Sequence, residues 1–285
     1  MPAKAMFPGV MALFGGGVQA PLGGYNAEAV STRRPPLPVL AALATVLGVL
    51  VAGIASATPP PPLAWEQTYN SPGNLDDQAN GVTIAPDGSI VVVGTEDRTD
   101  VGRSNDILIR KYDSAGSLQW TRSSNGPGNF GDYGLGSAID AGGNIFVVAN
   151  SDRSDIGHSY DWLIMKWDAG GTLQWSVTCN LVGNSWDNAC DIAVDASGSV
   201  YAVGMSAVPG RDWHVIKFAP LDGAIVWHDV YNYGSNDYPQ SVAVDPSGDI
   251  VVAGYVGDWS GAGLISAVRK YTAGGDLVWT MTRST

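Results

Sequence analysis

The sequence predicts an all-β chain, a β-propeller of four four-stranded repeats, and three observations carry that prediction. Trp65, Trp120, Trp175, Trp227 and Trp279 return at intervals of 55, 55, 52 and 52 residues. A repeat of about 40–55 residues made of short strands is the signature of a propeller blade. Between the tryptophans, apolar runs of strand length alternate with Gly turns. Composition agrees: of 27 acidic residues only Glu28, Glu66 and Glu96 are glutamates, and there are 37 Gly. Asp and Gly favour turns, whereas Glu favours helices. No apolar pattern of helical period appears after residue 57.

The elements follow in chain order. Residues 35–65 carry no charge. Within them Val39–Ile54 is apolar, preceded by Arg33 and Arg34 and followed by Ala55-Ser56-Ala57. A basic start, an apolar core and an Ala-x-Ala end over residues 30–57 read as a secretory signal peptide, with a membrane anchor as the alternative. Residues 1–29, rich in Gly, Ala and Pro, make the basic region too long. They read as a mis-assigned or disordered extension, with Val30 as the start of an ordinary leader. Residues 58–64 form a Pro-rich spacer.

The repeats occupy residues 65–285, with blades near 71–123, 124–178, 179–230 and 231–285. Each opens with a strand: Gly81–Ile84, Gly136–Ile139, Asp191–Val194, Ser241–Val244. A turn with Gly88, Gly143, Gly198 or Gly248 leads to the second: Ile90–Gly94, Ile145–Ala149, Val200–Gly204, Ile250–Gly254. Gly there accepts the positive φ of a tight turn. The third strands are Asp106–Tyr112, Asp161–Trp167, Asp212–Phe218 and Ile265–Tyr271. Their turns carry Gly116, Gly171, Gly223 or Gly275, and the fourth strand holds the Trp. Unbroken runs such as Ile90–Val93 suit strands covered on both faces.

Two charged columns share the period. Asp77, Asp132, Asp187 and Asp237 each stand 11 residues before the first turn Gly, and Lys111, Lys166, Lys217 and Lys270 are the only lysines after residue 57. A ligand-binding ring is one reading. A fold contact repeated in every blade is the better one, since a catalytic site is singular while a packing problem recurs. The column tryptophans Trp120, Trp175, Trp227 and Trp279 are expected to dock between blades.

The string Asp-x-x-Gly-x-Leu-x-Trp, at Asp113–Trp120 and Asp168–Trp175 and preceded by Lys-Tyr or Lys-Trp, resembles the bacterial SBBP β-propeller repeat. That resemblance implies a propeller in exported bacterial proteins of unassigned activity. The third copy departs from the pattern, with one extra residue in Ala219–Gly223, and the fourth has Thr272 in place of the turn Asp. Quinoprotein-like blades share the Asp…Gly…Trp ending, and Asp-box propellers share an Asp–Gly–aromatic turn. Neither brings an identifiable active site.

After residue 57 there are 12 Lys and Arg against 26 Asp and Glu, a net charge of 12 − 26 = −14. Such an acidic chain repels nucleic acid, whose phosphates need a basic patch. Cys179 and Cys190 fall near one another in the repeat and are candidates for a disulfide in an oxidising compartment. His158, His214 and His228 share no column. No zinc-protease motif, phosphate loop or nucleophile elbow is present.

Each blade has two short hairpins and two long connections, and the long ones emerge on one rim. Loops on a rigid scaffold are where binding residues gather. The loops Glu96–Asp106 and Ser151–Asp161 are near copies of each other. Asp97, Asp100, Asp152 and Asp155 are the candidate ligand-binding residues, and with Asp106 and Asp161 they form a candidate Ca²⁺ set of oxygen ligands. No other cofactor is expected.

These features lead to an exported, non-enzymatic module, secreted, periplasmic or on the cell surface. It would use its loop-rich face to bind a protein or glycan. A hydrolase or quinoprotein-like enzyme using that face, and a purely structural repeat, are the alternatives. The fifth tryptophan strand, at Trp65, is surplus to a four-bladed ring. The expectation is an open arc that self-associates through edges at Trp65–Asn70, Ala243–Gly254 or Trp279–Arg283, or else a compact ring with the Trp65 strand laid across its rim.

Overall fold

The computed structural model describes residues 64–181, 183–207, 210–234, 236–258 and 263–283. The readings placed on residues 1–63 lie outside them. Among the described residues no helix is long and apolar enough to cross a membrane.

Among the described residues, sixteen strands form four antiparallel sheets, each in chain order. The first blade is β1 (Gln78–Ile84), β2 (Ile90–Asp97), β3 (Asn105–Tyr112) and β4 (Leu118–Ser124). The second is β5 (Tyr133–Ile139), β6 (Ile145–Asp152), β7 (Tyr160–Trp167) and β8 (Leu173–Cys179). The third is β9 (Asp187–Val194), β10 (Val200–Ser206), β11 (Asp212–Phe218) and β12 (Ile225–Tyr231). The fourth is β13 (Tyr238–Val244), β14 (Ile250–Asp258), β15 (Gly263–Tyr271) and β16 (Leu277–Arg283). Each blade packs on the next, and the four are not closed into a ring.

The inner strands start three or four residues earlier than the apolar pattern indicates. A β-bulge between Ala79 and Gly81, and its counterparts between Gly134 and Gly136 and between Pro239 and Ser241, cause this. The extra residue breaks the two-residue period and hides the first half of each strand. The Trp65 segment is a second correction. It forms no strand, so four tryptophan strands are present among the described residues, not five.

Three apolar cores lie between successive blades. The first joins Val91, Val93, Ile107 and Ile109 to Ile145, Val147 and Met165. The second joins Phe146, Val148, Trp162 and Ile164 to Ile192, Ala202 and Ile216. The third joins Tyr201, Val203 and Val215 to Val242, Val252 and Tyr271. Burying such a side chain contributes about 1.5–3 kcal/mol, so these junctions carry the stability of the arc.

The Trp and Lys columns meet at each junction. Trp120 Nε1 and Lys111 Nζ both donate to the Ala169 carbonyl, at 3.2 and 3.1 Å. Trp175 and Lys166 donate to the Pro220 carbonyl, at 3.3 and 2.8 Å. Trp227 and Lys217 donate to the Ala273 carbonyl, at 3.2 and 2.9 Å. One blade thus clamps the second hairpin turn of the next. The Trp rings are half-buried rather than enclosed, because each lies over a turn at the rim of its junction. The turn glycines are doubly constrained. Gly223 has φ of 73°, and a Cβ there would lie 2.8 Å from the Trp175 ring. Where the turn Asp is replaced, Thr272 Oγ1 accepts the Asp276 amide in its stead, at 3.1 Å.

At the two ends the junction pattern stops. Lys270 Nζ, with no following blade among the described residues, pairs with Asp245 and Asp249 at 2.9 and 3.0 Å. Trp279 is 40% exposed. On the first blade, Val82 is 69% exposed, while its counterparts Ile192 and Val242 are 4% and 6% exposed.

Candidate functional site

The long connections gather on one rim as expected, and the Asp column pins them. Asp132 accepts the Gly126 amide with one oxygen and the Asp152 amide, at 3.0 Å, with the other. Asp77 does the same for Ser71 and Asp97, at 2.6 and 3.0 Å. Asp237 takes Tyr233 at 2.7 Å and Gly257 at 3.3 Å, and Asp187 takes Leu181 at 2.7 Å. Asp77, Asp132 and Asp237 therefore tie the loop that enters their blade to the end of the second strand, and Asp187 holds the loop that enters the third blade.

The balance of forces differs along the column. Burial pushes the Asp132 and Asp237 carboxyls above the ordinary range despite their backbone donors. At half-buried Asp77 the opposing burial effect is outweighed by hydrogen bonds from Ser71 and Asp97, and its value is lowered.

The two near-identical loops fold alike. Short 3₁₀ turns at Thr99–Val101 and Ser154–Ile156 are each closed by a left-handed glycine, Gly102 and Gly157. Asp97 and Asp152 are buried beneath them and accept from Thr99 and Ser154 hydroxyls at 2.9 and 2.8 Å. Gly73 and Gly128 lie so close to these carboxylates that a Cβ would overlap them, at 1.8 and 1.7 Å. Asp100 and Asp155 are paired instead with Arg98 at 3.0 Å and Arg153 at 3.1 Å. Asp106 faces Arg103 at 3.2 Å and Arg98 at 3.6 Å, and burial, outweighing both, raises its carboxyl. Asp161 faces Arg153 at 3.7 Å and His158 at 3.6 Å.

The six candidate calcium carboxylates are thus divided between buried loop pins and arginine partners. Among the described residues no group of three or more His, Cys, Asp or Glu is arranged to hold a metal ion. The loops are also tied to one another. The Asp132 amide donates to the Asn105 carbonyl at 2.8 Å, Thr99 to Gly73 at 3.4 Å, and Ser154 to Gly128 at 3.2 Å.

Sequence reasoning missed what this belt displays. Leu75, Val101, Phe130, Ile156 and Tyr233 stand on the rim loops at 64%, 51%, 67%, 52% and 51% exposure. Their signal was readable: each is a bulky apolar or aromatic residue in a loop otherwise built of Gly, Pro and polar or charged residues. These five side chains are held out to solvent on ordered loops.

Two further findings concern the reactive side chains. The Cys179–Cys190 disulfide does not form, and both thiols are free. Cys179 is packed between the second and third blades and Cys190 between the third and fourth, so they face different cores. Burial pushes both thiols up to about 12, which makes them inert. His214 and His228, unrelated by column, are joined across the β11–β12 hairpin, Nδ1 to Nε2, at 2.7 Å. His214 Nε2 also meets Ser206 Oγ at 2.9 Å. Ser206 and His214 are buried, with His214 edge-on to Trp162, while His228 at the other end of the line is exposed on β12.

No protein-family profile matches the chain. It is 26% identical over 231 residues to the regulatory protein FlaEY of Caulobacter vibrioides, covering 72% of this chain. The chain spans about a fifth (21%) of the length of that relative. Among solved structures it is similar to a Hadza microbial sialidase, with 14% identity, a TM-score of 0.47, and 73% and 46% of the two chains covered. It is likewise similar to a gluconolactonase from Xanthomonas campestris, with 15% identity, a TM-score of 0.39, and 72% and 62% covered. The propeller domain of the Trilobed protease from Pyrococcus furiosus gives 11% identity and a TM-score of 0.43, with 73% and 58% covered. At these identities the likenesses assign no activity to this chain.

Proposed function

We propose that the chain is an exported, non-enzymatic propeller module of the SBBP type that binds a protein partner at the cell envelope through its loop rim. One observation carries this reading: Leu75, Val101, Phe130, Ile156 and Tyr233 project from loops that hydrogen bonds to Asp77, Asp132 and Asp237 and the Arg98–Asp100 and Arg153–Asp155 pairs hold in place. Loops pinned in this way lose little further entropy on binding, and the exposed apolar groups supply the contact area. The acidic balance argues against nucleic acid and anionic lipid as partners. The match to a protein described as regulatory is in keeping with a binding role.

The test compares the purified wild type with the Val101→Ser/Phe130→Ser/Ile156→Ser variant on isolated envelope fractions. The variant is expected to lose about tenfold or more in affinity, a change of about 1.4 kcal/mol or greater. Its unfolding midpoint stays put, because these side chains touch no core. Equal binding by both proteins contradicts the reading, as does substrate turnover abolished by a rim substitution.

A further inference from the structure

We propose that the outward face of the fourth blade docks the first blade of a second copy of this chain, with Trp279 displacing that copy's own Trp65 segment. The argument is the continuity of an interface the chain already uses three times. At each internal junction a Trp and a Lys from one blade converge on a carbonyl in the second turn of the next. The fourth blade carries the same two donors. Lys270 is parked on Asp245 and Asp249 within its own blade, and Trp279 lies open.

The matching receptor is on the first blade. Its second turn is Asp113–Gly116, with Ser114 in the place held by Ala169, Pro220 and Ala273 in the later blades. That this turn receives a tryptophan is visible in the structure. Trp65 lies against Gly116, where a Cβ would come within 2.6 Å of its ring, as the other column tryptophans lie against Gly171, Gly223 and Gly275. Gln67 donates to the Gly116 carbonyl at 3.1 Å, just as Arg122, two residues after Trp120, donates to Gly171 at 2.6 Å. The Trp65 segment therefore imitates the outer strand of a preceding blade without being one.

It is a partial substitute. Beside it remains a cleft of about 280 Å³ bordered by Trp65, Tyr69, Val92 and Arg110. Val82 and Ile84, at 69% and 70% exposed, stay uncovered on the same blade. A full blade would fill this space. Head-to-tail contact between two four-bladed arcs closes a ring of eight blades, the upper end of the usual range of about 4–8.

Sedimentation velocity on the full chain across the micromolar range tests the proposal, with far-UV circular dichroism to verify folding. Trp65→Ala weakens the internal competitor and is expected to tighten dimerisation about tenfold or more. Trp279→Ala is expected to abolish dimerisation at an unchanged unfolding midpoint, and the double variant to remain monomeric. A wild type that is monomeric while Trp65→Ala alone dimerises also supports the docking. The proposal fails if Trp65→Ala stays monomeric throughout. It fails equally if Trp279→Ala associates like the wild type while Thr280→Pro blocks association, which would reveal edge-to-edge pairing of β16 instead.

Discussion

Val93, Val148, Val203 and Ala253 occupy one position of the repeat, on the second strand, facing the following blade. The three valines are 0% exposed, whereas Ala253 is exposed. The opposite face gives the mirror image: Ile145, Val200 and Ile250 are 0% exposed, and Ile90 is half-buried. The same local sequence is thus core in one blade and surface in another. Burial here belongs to the junction rather than to the residue, so a substitution's cost should depend on which blade carries it.

The tryptophan column gives the largest contrast. Trp175→Ala removes a ring packed against Gly223 and Val177 and leaves Lys166 alone on the Pro220 carbonyl. Because the ring is half-buried, it should lower the unfolding free energy by about 2–3 kcal/mol, below the range for a fully buried Trp. Trp279→Ala at the open end should cost about 0.5 kcal/mol or less. Urea titration of the two variants measures the difference, and equal losses would break the comparison.

The turn glycines come next. Gly223→Ala meets both a left-handed backbone and the Trp175 ring, and should cost about 2–4 kcal/mol. Gly248 has the same backbone strain at φ of 85° with nothing within 4 Å of a Cβ. Its replacement by Ala should cost about 1 kcal/mol, a difference that thermal unfolding of the pair resolves.

Acid should act at one interior junction. His214, between the second and third blades, is held down to about 3 by burial first and by His228 second. The unfolded chain takes up that proton near the ordinary value of 6.5. The neutral pair's contribution is therefore complete above pH 6.5 and is lost as pH falls from there toward about 3. Stability measured from pH 8 to pH 4 should drop through this window in the wild type and less steeply in His214→Asn.

Lysine gives the smallest effect. Lys166→Met removes one donor from a junction carbonyl and should cost about 1 kcal/mol. Lys270→Met breaks only a surface pairing and should change stability by about 0.5 kcal/mol or less.

Much of this architecture was legible in the sequence because the repeat prints the same turn and the same apolar run in every blade. The Asp and Lys columns are visible in the sequence for that reason too. Three features were not. The bulge before Gly81 and Gly136 breaks the period that marks a strand. The Trp65 segment carries the column's Trp but forms no strand, and it lies along the first blade's face instead of joining a sheet. His214 and His228 meet through hairpin register, and spacing within the repeat does not encode a diagonal across two strands. The candidate carboxylates lie in the two near-identical loops. Their arginine and hydroxyl partners depend on how each loop folds back, which composition does not reveal.

The central claim is that identical positions are sealed or open according to whether a blade follows. Thiol labelling of Ala253→Cys against Val203→Cys tests it most directly, in native buffer at a protein concentration below that of association. The native Cys179, buried, and Cys190, half-buried, have thiols that burial pushes up to about 12, and they provide a slow-reacting background. The account predicts that Ala253→Cys reacts at nearly the rate of the unfolded chain, while Val203→Cys reacts only when the protein unfolds. Equal protection at both positions in the monomer would contradict it.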